Sequence, residues 1–215
     1  MFSLALFQKQ YETDSTEVVV NDQRFRFLVP KSIDRFIDPV DPLLNFPLWA
    51  KIWPASIVLT DTLAHLKVHP AKRFLEIGAG MGFVSVVATH LGLNFTLTEY
   101  DAHALDFARA NALINKCPTL VIRKLDWNKP DLQDMFDYIV GSEILYKEES
   151  IQPLLKLFKK LLKPTGKVIL VGEIRKHDRA FYKAMEPFFD LKIQRKVLRA
   201  LNEKTSIYLT NMRFK

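Results

Sequence analysis

Residues 73–82 read Arg-Phe-Leu-Glu-Ile-Gly-Ala-Gly-Met-Gly, an apolar run that leads into three alternating glycines. The apolar run predicts a buried β-strand, Arg73–Ile77, and the residues that follow, 83–91, have the pattern of a helix. Glycine lets the chain turn sharply and lets a ligand approach the bare backbone, so this loop has the composition of a cofactor site. A tight turn that binds no ligand is the alternative.

The spacing of the glycines separates two classes of cofactor. Gly78, Gly80 and Gly82 form Gly-x-Gly-x-Gly, whereas a dinucleotide fingerprint has Gly-x-Gly-x-x-Gly and places a pyrophosphate at the helix N-terminus. Glu76 stands in front of the first glycine, where its charge would repel a phosphate. The loop therefore favours a ligand that carries an ammonium group, as a methionine moiety does.

From residue 73 onward, short apolar runs alternate with helical segments. We predict strands at residues 73–77, 95–99, 120–124, 136–142 and 167–172, and helices at residues 83–91, 102–115, 150–162 and 179–188. This alternation is typical of a parallel sheet covered on both faces by helices. Ligands of such folds bind beyond the carboxyl ends of the strands, so functional residues are expected in the loops there.

The residues before this core follow a different pattern. Two β-rich runs, 17–20 and 24–29, flank Asn-Asp-Gln and predict a hairpin. Pro54 precedes a helical pattern and is placed in the first helical turn, where the missing N–H does no harm. We predict an N-terminal β-hairpin extension over residues 1–46 and one main domain over residues 47–215.

Two further strand ends carry groups suited to a nucleoside. Glu99 ends the second strand, where its carboxylate can accept hydrogen bonds from vicinal ribose hydroxyls, and Tyr100 follows it. Asp101 is a candidate helix cap and the alternative ribose ligand. After the third strand, Asp126 offers a carboxylate for an exocyclic amine and Trp127 offers an aromatic face for a purine. A buried tryptophan beside a turn aspartate is the alternative there.

Two more motifs complete a family resemblance. Glu143-Ile-Leu-Tyr146 follows the predicted strand at residues 136–142, and residues 47–54 read Pro-Leu-Trp-Ala-Lys-Ile-Trp-Pro. Together with the glycine loop and the strand-end acids, these motifs resemble the seven-strand class I methyltransferases. More narrowly, they resemble methyltransferase family 16, whose characterised members are largely protein lysine methyltransferases, with protein histidine methyltransferases among their relatives. The resemblance covers residues 47–175 well and the N-terminal hairpin poorly.

The resemblance implies that the cofactor is S-adenosylmethionine. It also implies that Glu143 hydrogen-bonds and orients an incoming amine and that Tyr146 shapes the channel, so these two are the candidate catalytic residues. The implied cofactor-binding residues are Trp53, Glu76, Gly78, Gly80, Glu99, Tyr100, Asp126, Trp127 and Ser142. A tryptophan wall suits a cationic sulfonium through cation–π attraction. A surface position for the acid and a core position for the tryptophan are the alternatives.

The amino-acid composition excludes or disfavours several classes of function. The chain has 215 residues and a net charge of +7, which is spread along the sequence, so nucleic-acid binding is disfavoured. A single cysteine, Cys117, excludes an intrachain disulfide and fits a reducing compartment, so we expect the cytoplasm. No metal site is predicted, because His65 and His69 have no acid to complete one. The apolar opening, residues 1–7, is too short to span a membrane.

The sequence therefore predicts an S-adenosylmethionine-dependent methyltransferase with a Rossmann-like α/β fold, built on a seven-strand sheet with helices on both faces. We expect it to N-methylate a protein side chain, with lysine favoured. A small-molecule amine or nitrogen heterocycle is the alternative substrate. An inactive cofactor-binding scaffold and a nucleic-acid-modifying module are alternatives of other classes; the retained Glu143 and Tyr146 argue against the first, and the scattered charge argues against the second.

Overall fold

A mixed sheet of seven strands forms the centre of the computed structural model, which describes residues 2–42, 46–200 and 203–215. Along the chain, the strands are β1 (Thr13–Val20), β2 (Gln23–Pro30), β3 (Arg73–Ile77), β4 (Asn94–Glu99), β5 (Val121–Lys124), β6 (Phe136–Ser142), β7 (Leu162–Gly172), β8 (Phe189–Ala200) and β9 (Glu203–Phe214). The helices are α1 (Leu4–Gln10), α2 (Pro54–Ala64), α3 (Phe83–His90), α4 (Ala102–Ile114), α5 (Ile151–Leu161) and α6 (Asp178–Met185).

The order of the strands across the large sheet is β5-β4-β3-β6-β7-β9-β8. The strands from β3 to β7 pair in parallel, whereas β9 runs antiparallel to both β7 and β8. The seven-strand Rossmann-like fold is confirmed, and the sheet is mixed because β9 runs antiparallel at this edge. Only two residues of the chain, 201 and 202, lie between β8 and β9, which is too few for a crossover helix, and strands joined without one pair antiparallel. The strand order reverses between β3 and β6, which is where such folds bind ligands.

Helices cover both faces of the sheet, as predicted. Successive strand residues point to opposite faces, and the buried apolar side chains of the central strands divide accordingly into two clusters. Phe74 and Val140 pack in the cluster that contains residues of α2, α3 and α4. Leu75 and Ile139, their neighbours along the chain, pack in the cluster that contains residues of α5 and α6. Burial on both faces explains why these strands read as continuous apolar runs.

The predicted hairpin is present as β1 and β2, which pair antiparallel in a separate two-stranded sheet. Its turn is tighter than expected, because Val20 pairs directly with Gln23 across Asn21 and Asp22. Both turn residues have positive φ, 48° and 60°, as a two-residue turn that matches strand twist requires. Phe27 is fully buried, and it packs in the same cluster as the helices on one face of the large sheet.

Helix α1, which begins within the apolar opening, was not predicted. Ser3 caps it by accepting a hydrogen bond from the backbone N–H of Leu6 at 3.4 Å, and Phe7 is its buried residue. Pro54 stands in the first turn of α2, as predicted. Within the described part of the chain, no helix has both the length and the apolar character needed to cross a bilayer.

Candidate active site

A cavity of about 490 Å³ opens at the carboxyl ends of β3, β4 and β6. This volume is in the range of sites for small molecules and cofactors. The eleven residues predicted for catalysis and cofactor binding all line it: Trp53, Glu76, Gly78, Gly80, Glu99, Tyr100, Asp126, Trp127, Ser142, Glu143 and Tyr146. The three tryptophans of the chain, Trp49, Trp53 and Trp127, line it too. The fold thus brings the predicted residues together, and their individual roles stay predictions.

The glycine loop holds its shape through positive φ and close contact. Gly80 has φ +54°, and a Cβ atom added there would lie 3.3 Å from the backbone oxygen of Trp49. An L side chain is therefore disfavoured both by conformation and by space. The loop between β3 and α3 is pressed against the segment that precedes α2, so these two backbones form one wall of the cavity.

Glu76 lines the cavity but is almost completely buried, with 1% of its surface exposed. Its Oε2 accepts hydrogen bonds from the Ser85 backbone N–H, at 2.9 Å, and from the Ser85 hydroxyl. Burial raises the pKa of Glu76 to about 8, although the two hydrogen bonds from Ser85 lower it. A cationic group placed beside this carboxyl would favour its ionised form. The site is therefore suited to a ligand that brings its own positive charge.

Glu99 and Asp101 have different tasks in the structure. Glu99 lines the cavity, and its Oε2 accepts a hydrogen bond from the backbone N–H of Gly80 at 2.8 Å. The other oxygen, Oε1, accepts from the N–H groups of Tyr100 and Asp101. Burial raises the pKa of Glu99. Asp101 instead caps α4, since its Oδ1 accepts from the Ala104 N–H at 2.9 Å. The arrangement favours Glu99 over Asp101 for contact with a bound ligand.

Three predicted residues line the cavity just after the ends of β4 and β5. Tyr100 is 62% exposed, and the ammonium of Lys124 lies 5.0 Å from its ring centre. Asp126 accepts a hydrogen bond from the Asn128 N–H at 2.8 Å, which fixes the turn after β5. Trp127 is half-buried beside it. The turn geometry assumed for Asp126 is present, but the side chain also faces the cavity.

The tryptophan-proline segment is braced from two sides. The indole N–H of Trp53 donates to the Leu48 carbonyl at 2.7 Å. Trp49 lies 4.9 Å from the ring of Phe36 and 5.4 Å from the ring of Phe107, centre to centre. Aromatic contacts therefore connect this wall of the cavity to the N-terminal region and to α4.

Glu143 is buried rather than on the surface, so the alternative of a surface acid is wrong. It has φ +49°, and 7% of its surface is exposed. Its Oε2 accepts from Nη2 and Nε of Arg175, at 2.7 and 3.3 Å, and its Oε1 accepts from the Glu173 N–H at 2.9 Å. The Arg175 guanidinium also lies 4.7 Å from the ring centre of Tyr146. Burial and the Glu143 charge raise the pKa of Tyr146, so its hydroxyl is a neutral donor.

Arg175, which contacts Glu143 and Tyr146, was not indicated by the sequence. It lies 32 residues after Glu143 in an irregular segment, so no spacing pattern connects the two. Ser85 was missed for a similar reason, because a serine inside an apolar helix gives no functional signal. Among the described residues, no group of three or more His, Cys, Asp or Glu side chains is arranged to hold a metal ion.

Comparison with known proteins identifies the family. Residues 48–188 match the family model described as lysine methyltransferase. The chain belongs to methyltransferase family 16. A relative from Danio rerio, protein N-lysine methyltransferase METTL21A, is 32% identical over 176 residues, which cover 74% of this chain and 80% of the relative. Histone-arginine methyltransferase METTL23 of Rattus norvegicus is 29% identical over 136 residues, which cover 60% of each.

A solved structure agrees with the fold. Glycopeptide N-methyltransferase MtfA, complexed with sinefungin, has a TM-score of 0.60 at 15% identity, and the match covers 75% of this chain and 93% of that one. This family 16 protein is a methyltransferase, and its cofactor is S-adenosylmethionine. The cavity fits this cofactor, because Glu76 provides a carboxyl for an ammonium group and Glu99 provides acceptor oxygens for hydroxyl groups.

Proposed function

We propose that the protein transfers a methyl group to the side-chain nitrogen of a lysine in a protein substrate. The observation that carries the proposal is the buried carboxylate of Glu143 beside Tyr146, in the same cavity as the glycine loop. A relative that is 32% identical, METTL21A of Danio rerio, is named a protein N-lysine methyltransferase, which supports lysine as the acceptor. The buried single cysteine, Cys117, supports a cytoplasmic location.

Methyl transfer requires little covalent catalysis from the protein. S-adenosylmethionine, when bound, supplies a methyl group on a positively charged sulfur. The protein must align a neutral amine with that methyl group and exclude water. A free lysine has a pKa of about 10.4, so the amine must lose its proton before it reacts.

Glu143 retains the means to hold that amine. A carboxylate oxygen can accept about two hydrogen bonds, and Oε1 accepts only one, from Glu173, among the described residues. The remaining lone pair can accept a hydrogen bond from an amine N–H and so orient the nitrogen towards the methyl group. Tyr146 lines the same cavity and adds an aromatic wall beside the acceptor nitrogen.

The test follows the methyl group from cofactor to product. The purified protein is incubated with radiolabelled S-adenosylmethionine and a fractionated cell extract, and label is measured in protein, RNA and small molecules. We expect label in protein, and ε-N-methyllysine after hydrolysis of the labelled band. Label in methylarginine, methylhistidine, RNA or a small amine would overturn the proposal.

A variant separates catalysis from cofactor binding. Glu143→Gln keeps the shape of the side chain and removes its charge. We expect the single-turnover rate on the labelled protein to fall about a hundredfold, near 2.7 kcal/mol, because the carboxylate acts mainly in the transition state. Calorimetry should show cofactor affinity changed by less than about threefold. A wild-type rate in this variant would remove the main support for an orienting role of Glu143.

A further inference from the structure

Arg175 joins the two residues that the sequence motif placed at the methyl-transfer site. Its guanidinium donates two hydrogen bonds to Oε2 of Glu143 and stacks on the ring of Tyr146. Its backbone N–H donates to Oδ2 of Asp178, at the start of α6, at 3.1 Å. The shorter of these two hydrogen bonds, 2.7 Å long, is also an ion pair, and the side chain of Glu143 is buried. Arg175 is therefore fixed at both its backbone and its side chain.

This pairing creates a chemical problem that bears on the substrate. An unpaired carboxylate beside a lysine stabilises the ammonium form and raises the pKa of that amine. Only the neutral amine has a lone pair to attack a methyl group. A guanidinium is always charged, so the pair of Glu143 and Arg175 has no net charge. The pair can still accept a hydrogen bond from an amine through Oε1, but it attracts a cation weakly.

We propose that Arg175 is a positioning residue that neutralises Glu143 and thereby lets the site take up the acceptor amine in its neutral, reactive form. This role rests on the proposed methylation of an amine. It acts through Glu143 and requires no contact between Arg175 and the substrate. Arg175 stays paired with Glu143 during methyl transfer.

Other titratable groups line the cavities that Glu143 borders. Those lining the two adjoining cavities near it are Tyr146, Lys147, Glu173, Asp178, Tyr182 and Tyr208. Two further carboxyl groups of the larger cavity, Glu76 and Glu99, have pKa values raised by burial. Glu173 lies close enough to Arg175 to raise the pKa of the guanidinium. Loss of Arg175 would therefore leave Glu143 near another acid, Glu173, with the exposed Lys147 as the remaining cation among these groups.

The first test uses n-butylamine, which has the length and the amine of a lysine side chain, and needs no protein substrate. Ligand-observed NMR measures its apparent affinity for the protein with S-adenosylhomocysteine bound, between pH 7 and pH 10. For the wild type, we expect binding to tighten as the neutral amine becomes abundant. For Arg175→Gln, we expect binding of the cation at pH 7 to be about tenfold tighter than in the wild type, since an opposite charge at this range shifts an amine pKa by at least about one unit.

The direction of the change distinguishes positioning from simple structural support. A structural residue would loosen the site when removed, so n-butylamine binding would weaken. Arg175→Lys keeps the charge and should behave as the wild type. Arg179→Gln removes one positive charge from an exposed position on α6 and is the matched control, for which we expect no change. Weaker or unchanged binding of the cation by Arg175→Gln would overturn the proposal.

A double variant is the control for misfolding caused by an unpaired carboxylate. Glu143→Gln combined with Arg175→Gln removes both charges and restores a neutral pair, so cation affinity should return to within about threefold of the wild type. S-adenosylhomocysteine binding by each variant verifies that the cavity is formed. Tight cation binding by the double variant would show that Glu143 is not the group that Arg175 neutralises, and would also overturn the proposal.

The second test is the pH dependence of turnover on the protein band labelled by the wild type. We expect Arg175→Gln to shift the midpoint of the rate profile upward by about one pH unit, and to lower kcat and KM together at pH 7.5. An unshifted midpoint would overturn the role of Arg175 while leaving lysine methylation intact. If the wild type labels no protein but n-butylamine binding follows the pattern above, the proposed function fails and the charge neutralisation by Arg175 stands.

Discussion

Replacing Glu76 with glutamine should stabilise the ligand-free protein in a pH-dependent way. The Glu76 carboxyl has a pKa of about 8 in the folded protein, against an ordinary value of 4.5, because it is buried. The unfolded chain therefore loses this proton at lower pH than the folded protein does. Stability is unaffected below about pH 4.5 and falls as the pH rises towards 8, since ionisation favours the unfolded chain.

The size of the effect follows from the same two values. Each unit of pKa shift is worth about 1.4 kcal/mol, so the folded protein loses roughly 3 kcal/mol of unfolding free energy between pH 5 and pH 8 through this residue. Glutamine does not titrate, and its side-chain oxygen can still accept from the Ser85 N–H. We expect the stability advantage of Glu76→Gln over the wild type to grow by about that amount across this pH range.

Urea denaturation at several pH values measures the difference, with Glu149→Gln as a control in which an exposed carboxyl is removed. Parallel stability curves for the wild type and Glu76→Gln would refute the reasoning. Cofactor affinity should change in the opposite direction. The variant should bind S-adenosylmethionine at least about tenfold more weakly. At pH 7 we expect the wild type to release a proton when the cofactor binds, because a cationic group favours the ionised form of Glu76. Calorimetry in buffers of different ionisation enthalpy detects this proton, and we expect no such release from the variant.

Four further variants test other parts of the structure. Glu99→Ala should weaken S-adenosylmethionine binding by roughly 1.5–3 kcal/mol, measured by calorimetry, whereas Asp101→Ala should mainly cost about 1 kcal/mol of stability through loss of the helix cap. Gly82→Ala should destabilise the fold by about 1–3 kcal/mol in denaturant titrations, because Gly82 has φ +84° and a new Cβ would lie 2.9 Å from a Leu97 methyl. Asp137→Asn should lower the free energy of unfolding by about 2 kcal/mol at neutral pH, since two lysines hold the pKa of this carboxyl far below its usual range. This loss of stability should become smaller as the pH falls below about 4.

The sequence was informative wherever a single local pattern determined the position of a residue in the fold. The glycines after β3 and the acids at the strand ends lie at one edge of the sheet, as expected, because parallel strands bring their carboxyl ends together there; their roles stay predictions. The choice between Glu99 and Asp101 needed coordinates, since both residue types cap helices and bind hydroxyl groups. The structure favours Glu99 because Glu99 lines the cavity, whereas Asp101 is engaged at the N-terminus of α4.

Contacts between distant segments could not be predicted from the same patterns. The ion pair of Glu143 with Arg175 spans 32 residues and depends on how the loops after β6 and β7 meet. The β8–β9 hairpin was also missed as a pair of strands, because its exposed positions carry residues such as Lys192 and Arg195. Edge strands commonly carry such charges, which obscure the apolar alternation that marks a strand.

The position of the three tryptophans has a practical consequence for spectroscopy. Trp49, Trp53 and Trp127 line the same cavity, and the chain contains no others. The intrinsic indole fluorescence of the protein therefore originates at this cavity. Emission wavelength and quenching can follow the arrival and departure of cofactor in the unlabelled protein, in equilibrium titrations as well as in stopped-flow mixing.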